Sequence, residues 1–156
     1  MANSYDLTAR GAKVTIKTLD SEGKAEAGDV CVIDDFADDQ DPVTVDDCNI
    51  AELFFDANGM SHRRGKLEPV NCHIALIPGS EAEKTLNQFV LNNLTVFGSY
   101  SWVNIHAKYP ALKEEVVFYR GVLTGASMGY AATSQGRVRT KNFSFQFTTC
   151  GKPPEA

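Results

Sequence analysis

The stretch VNCHIALIPGSEAEKTLNQFVLNN (residues 70–93) decides how the chain is read. Val70, Cys72, Ile74 and Leu76 alternate with Asn71, His73 and Ala75, the two-residue period of a half-buried strand. Pro78-Gly79 ends that strand. Ser80 then stands as a helix N-cap with Glu83 three residues on, a capping box that satisfies two of the N–H groups a first turn leaves unpaired. Ala82, Leu86, Phe89 and Val90 fall on one helical face and Asn92-Asn93 close it, so a helix is expected over about residues 80–93. Nearly everything else reads as strand and turn. The expected fold class is therefore mainly β, an antiparallel β-sandwich or small barrel, with one flanking α-helix packed over an edge or open face.

Working outward, residues 12–20 and 29–36 read as two strands, with Val14 and Ile16 in the first and Val30, Val32 and Phe36 in the second. The second runs into Asp34, Asp35, Asp38, Asp39 and Asp41 before Pro42. No register there supplies the spaced ligands, central Gly and distal Glu of a calcium loop. Residues 43–55 read as one long strand that changes phase, which predicts a bulge near Asp46-Asp47. Asp56-Ala57-Asn58-Gly59 signals a hairpin whose returning arm carries His62, Arg63, Arg64 and Lys66. Beyond the helix come a short strand with Trp102, Val103 and Ile105, then β segments over 114–130 and 137–149. In the last, Phe143, Phe145 and Phe147 alternate with Ser144, Gln146 and Thr148, which predicts one buried aromatic face and one polar, uncharged face. Residues 1–150 are expected to form one domain and 151–156 a flexible tail.

At 156 residues the chain is long enough to bury a core without disulfide staples. No apolar run approaches the roughly 20 residues of a membrane helix. The opening Met-Ala-Asn-Ser-Tyr-Asp has no basic or apolar leader, so synthesis in a cytoplasm is expected. The net charge of −5 is split: residues 1–58 hold 14 acidic and 4 basic side chains, residues 59–156 hold 6 and 11. An acidic chain is poorly suited to gripping phosphates. A split charge suits head-to-tail association of copies, as it also suits plain solvation.

Catalytic chemistry is sought and not found. Gly125-Ala126-Ser127-Met128-Gly129 matches a nucleophile elbow, yet no His or Asp follows Ser127 and no helix is signalled after it. His62, His73 and His106 are scattered, and no dinucleotide or phosphate loop occurs. No catalytic residue, cofactor or metal site is assigned. Cys31, Cys48, Cys72 and Cys150 form no C-x-x-C pair and are expected to stay reduced inside a cell.

The order of elements then carries a resemblance: N-terminal strands, a long loop, an Asn-Gly hairpin, a strand ending in Ile77-Pro78-Gly79-Ser80, one amphipathic helix, and two long C-terminal β segments. Over residues 74–91 and 118–147 above all, this resembles the tail tube proteins of contractile-tailed bacteriophages and, more distantly, injection-machine inner tubes. The resemblance implies a structural virion protein, not an enzyme, made in the host cytoplasm and residing in the tail. Copies would close into rings, six to a ring, that stack into a hollow tube. Sheath and baseplate proteins would be its partners and DNA its passing cargo. Another ring component, a terminator or baseplate ring, is the alternative, and a cytosolic β-sandwich ligand-binding module a more distant one. Asp38, Asp39, Asp41, Arg63, Arg64 and Lys66 are the candidate inter-subunit contacts. Cys31, Cys48, Cys72 and Cys150 are the candidates for an inter-subunit disulfide, with Cys150 favoured beside a chain end.

Overall fold

The computed structural model describes residues 11–19, 26–34, 43–95 and 102–151. Within them the order is β1 (Lys13–Leu19), β2 (Glu26–Ile33), β3 (Val43–Val45), β4 (Ala51–Phe55), β5 (Ser61–Gly65), β6 (Val70–Leu76), α1 (Glu81–Thr95), β7 (Val103–Tyr109), β8 (Glu114–Ala126) and β9 (Lys141–Gly151). Seven strands form one antiparallel sheet in the order β2-β1-β7-β8-β9-β6-β3, while β4 and β5 form a two-stranded sheet of their own. The fold is mainly β with one helix, as the sequence predicts.

One face of the large sheet makes the core. Alternation puts Phe143, Phe145 and Phe147 on that face, each at most 1% exposed. The ladders carry the apolar row sideways: Cys72 lies opposite Phe145, Ile74 opposite Phe143, and Ile105 opposite Ile16. The helix closes this face with Ala82, Leu86 and Val90 buried and Phe89 half-buried. A 15-residue helix is marginal alone in water, so packing of that stripe holds it. It starts just after β6 and packs against β2, at the far side of the sheet order, and thus roofs the core.

The capping box forms with one adjustment. Ser80 Oγ accepts the Glu83 N–H at 3.3 Å, but the Glu83 carboxylate reaches back to the N–H of Gly79, also at 3.3 Å, one residue before the cap. Gly79 adopts a φ of 87°, a left-handed conformation that glycine takes without a side-chain clash.

The expected single strand over residues 43–55 is corrected. Its phase change marks departure from one sheet into another, not a bulge within one. β3 pairs with β6 and Asp46 still donates its N–H to Asn71. Asn49 is then held by Glu68 through its backbone N–H and its side-chain amide, and the Ile50 carbonyl takes the Lys66 N–H before the β4–β5 ladder begins. True irregularities lie in other ladders, β1–β2, β7–β8 and β8–β9. At Arg120, φ is 49°, and side chains replace the lost ladder bonds: Asn104 Oδ1 accepts its N–H and Thr148 Oγ1 donates to its carbonyl, both at 2.8 Å. The strands also end differently from expectation: β8 stops at Ala126, β9 starts at Lys141 and takes in Gly151, which pairs with Val117.

Candidate assembly surface

Among the described residues, the β4–β5 hairpin is a part that the fold leaves uncovered. Its turn is built on Asp56, whose carbonyl accepts the Gly59 N–H and whose carboxylate accepts those of Asn58 and Met60. Gly59 takes the left-handed φ of 79° that such a turn needs. The strands it joins are apolar and exposed: Leu53 is 66%, Phe54 45% and Phe55 67% exposed. Ile50 and Leu67 at its base are exposed as well. Large apolar side chains left this exposed on both faces of a strand pair are a feature of surfaces that meet a partner.

The sequence-predicted contacts divide three ways. Asp38, Asp39 and Asp41 lie outside the described residues. Arg64 and Lys66 both turn inward on the one carboxylate of Glu52 in the same hairpin, the lysine at 3.3 Å. Arg63, opposite Leu53, makes no ion pair or side-chain hydrogen bond among the described residues. Alternation separates Arg63 from Arg64 and Lys66, but the hairpin register, Glu52 opposite Arg64, decides which of them meet Glu52.

The four cysteines are free thiols in four environments. Burial pushes Cys31 up to about 12, and burial with the nearby Asp46 charge pushes Cys72 up to about 12, so neither supplies thiolate readily at neutral pH. Cys150 is exposed on β9, and half-buried Cys48 donates to the Pro69 carbonyl. Both line one groove at the hairpin's base.

The polar side of the large sheet carries two networks that no sequence motif announces. His106 lies between Glu26 at 2.6 Å and Glu115 at 3.4 Å, with Lys17 and Asn104 also on Glu26. Burial raises the Glu26 carboxyl, but bonds from His106 and Asn104 and the charges of His106 and Lys17 outweigh it and hold the group below 4.5. At the other end His73 sits 2.9 Å from Ser144 Oγ and 3.1 Å from Asp46 Oδ2. That trio has the residue types of a hydrolase triad. Ser144, however, lies mid-strand between partners on β6 and β8, where neighbouring N–H groups are engaged in ladders and no oxyanion hole is built. It ties β3, β6 and β9 together. Ser127 is no nucleophile elbow either: its Oγ accepts the Asn142 N–H, and an extended loop, not a helix, follows it.

A third cluster is buried. Glu83 and Lys141 are 0% and 2% exposed by side chain and lie 3.8 Å apart. Tyr130 donates its hydroxyl to Glu83 at 3.1 Å, and Lys141 donates to the Gly129 carbonyl at 2.7 Å. The pair thus fastens the helix start and β9 to the loop between β8 and β9.

A family model described as tail fiber protein gp32 matches residues 6–151. The chain is also similar in fold to the sheath/tube terminator of an extracellular contractile injection system, PVC, in its extended state, solved by cryo-electron microscopy. That likeness has a TM-score of 0.53 at 10% identity and covers 98% of this chain and 100% of the other. No curated protein matches the chain.

Proposed function

The chain belongs to the tail fiber protein gp32 family, a family of structural phage tail components, and from that premise we propose that it is a ring-forming subunit of the tail's hollow conduit. The observation that carries the reading is the β4–β5 arm, a strand pair that joins no other described strand and whose large apolar side chains stay exposed in the single subunit. The large sheet adds two edges, β2 and β3, each with one side unpaired among the described strands. Neighbouring copies that pair and cover these features remove the aggregation hazard they pose alone.

A ring that caps or joins the conduit, of the terminator kind, is supported by fold likeness along the whole of both chains. A stacked tube of sixfold rings is the second reading, favoured by the order of elements and by an arm that stands apart from the main sheet. In both, copies of this chain are the first partners, sheath and baseplate proteins the next, and DNA is passing cargo. The virion tail is the residence. The role is mechanical and calls for no catalysis or cofactor.

Negative-stain microscopy with light scattering tests this. Discrete rings support the terminator arrangement, and long hollow cylinders the tube. An elongated fibre without a lumen, or a monomer at every concentration, overturns the proposal.

A further inference from the structure

The hairpin's two faces have opposite characters. Alternation sets Glu52, Phe54, His62 and Arg64 on one face, and Leu53, Phe55 and Arg63 on the other. The first face satisfies itself: Glu52 takes Arg64 and Lys66, His62 stacks on Phe54 with ring centres 5.4 Å apart, and His62 binds Asp56 at 2.8 Å. The second face offers two large exposed apolar groups flanking a guanidinium that has no partner among the described residues. A phenylalanine and an arginine side by side are residue types enriched at protein interfaces, and Leu53 adds apolar area beside them. Their counterpart is an apolar seat holding one unspent carboxylate.

Such a seat lies at the base of the same hairpin. A groove of about 570 Å³ runs between residues 45–50, residues 66–70 and the end of β9. Val45, Ile50 and Val70 give it apolar walls. Of its carboxylates, Asp46 is engaged by His73 and Glu68 by Asn49, whereas Asp47 has no ion pair or side-chain hydrogen bond among the described residues. The β6–β9 ladder ends at Val70 opposite Phe147, so no described strand pairs with that side of β9 over residues 148–151. The hairpin leaves from the groove's own wall, Ile50 leading into Ala51 and Gly65 into Lys66, and its intact ladder does not fold back onto its root.

We propose that the Leu53, Phe55 and Arg63 face of one copy seats in this groove on a second copy, with Arg63 against Asp47. The inference rests on the ring reading and deepens it by naming both halves of the contact. The two halves are different patches of one chain, so the contact is head-to-tail and propagates until curvature closes it.

Charge exchange tests the pair in the full chain. Arg63→Glu and Asp47→Lys should each raise the concentration for half-assembly by about tenfold or more, and the double swap should restore it. Far-UV and near-UV circular dichroism should be unchanged, because both side chains lie on exposed residues. A second measurement uses the groove's own thiols: Ser61→Cys, opposite Phe55 on the same face and not one of its anchors, with a short bismaleimide should give a cross-linked dimer absent from the unmodified chain. That band should disappear when Cys48 and Cys150 are both replaced by serine. If rings form but ignore both single reversals, or if the swap fails to rescue and no cross-link appears, this contact is wrong while the ring reading stands. If the unaltered chain never assembles, both fall.

Discussion

Phe143-Ser144-Phe145-Gln146-Phe147 on β9 and Leu53-Phe54-Phe55 on β4 are equally aromatic, and the fold treats them oppositely. The β9 phenylalanines are sealed, with Phe118 and Phe147 rings 5.4 Å apart and Phe145 and Phe147 rings 6.0 Å apart. The β4 side chains stand in solvent. What separates them is the number of layers available. β9 lies between β8 and β6 and beneath a helix, while β4 has one neighbour and no roof. One aromatic strand is covered within the subunit; the other is left exposed by it.

That contrast breaks first at Phe145. Phe145→Ala should cost about 3–5 kcal/mol in chemical denaturation, since a buried ring leaves a cavity among close-packed neighbours. A cost under about 1 kcal/mol would mean that the aromatic face is not sealed. Leu86→Ala, beneath the roof, should cost about 2–5 kcal/mol and loosen the helix before the central strands in hydrogen exchange. Uniform loss of protection would say that roof and sheet open as one unit.

Acid sharpens the contrast at the sheet's β2 edge. The Glu26 carboxyl is held below 4.5, so its stabilisation is fully present above that pH and is lost as pH falls through its lower folded value. With a side chain 34% exposed, its clamp on Lys17, Asn104 and His106 is worth only about 0.2–1 kcal/mol. Protection of the β2 amides, taken relative to their intrinsic exchange rate at each pH, should fall as pH drops through the range in which Glu26 gains its proton, and Glu26→Gln should flatten the change. An acid profile that Glu26→Gln leaves unchanged would remove this role from Glu26. The smallest effect belongs to the arm: Phe55→Ala should stay within about 0.5 kcal/mol in a dilute subunit while assembly is lost. Equal costs at Phe55 and Phe145 would erase the distinction between the two strands.

The sequence carries the sealed half of this molecule well. Strict alternation at Phe143, Phe145 and Phe147, the Ser80–Glu83 cap and the stripe of Ala82, Leu86 and Val90 are local signals, and the helix and the mainly β class follow from them. The exposed half is less legible. A phase change at Asp46-Asp47 looks alike whether a strand bulges or changes sheets, and only the Asn49–Glu68 and Ile50–Lys66 contacts decide it. Pairings such as His73 with Ser144, 71 residues apart, depend on register across non-consecutive strands. For the same reason the pairing of Arg64 with Glu52 and of Arg63 with Leu53 depends on the hairpin register and not on the basic run itself. The groove joins residues 45–50 to β9, which only the folded chain brings together.

The buried Glu83–Lys141 contact has a consequence for descent. Neither position has water to fall back on, and Glu83 Oε1 has no hydrogen-bond donor. Losing one member strands the other's charge, whereas replacing both by well-fitting apolar groups is tolerated or favourable. Lineages of this chain should therefore inherit the two positions as a unit, both ionic or both apolar, with the single-step intermediates missing. Tyr130, exposed and joined to the carboxylate through its hydroxyl, should drift away wherever the ionic pair is given up.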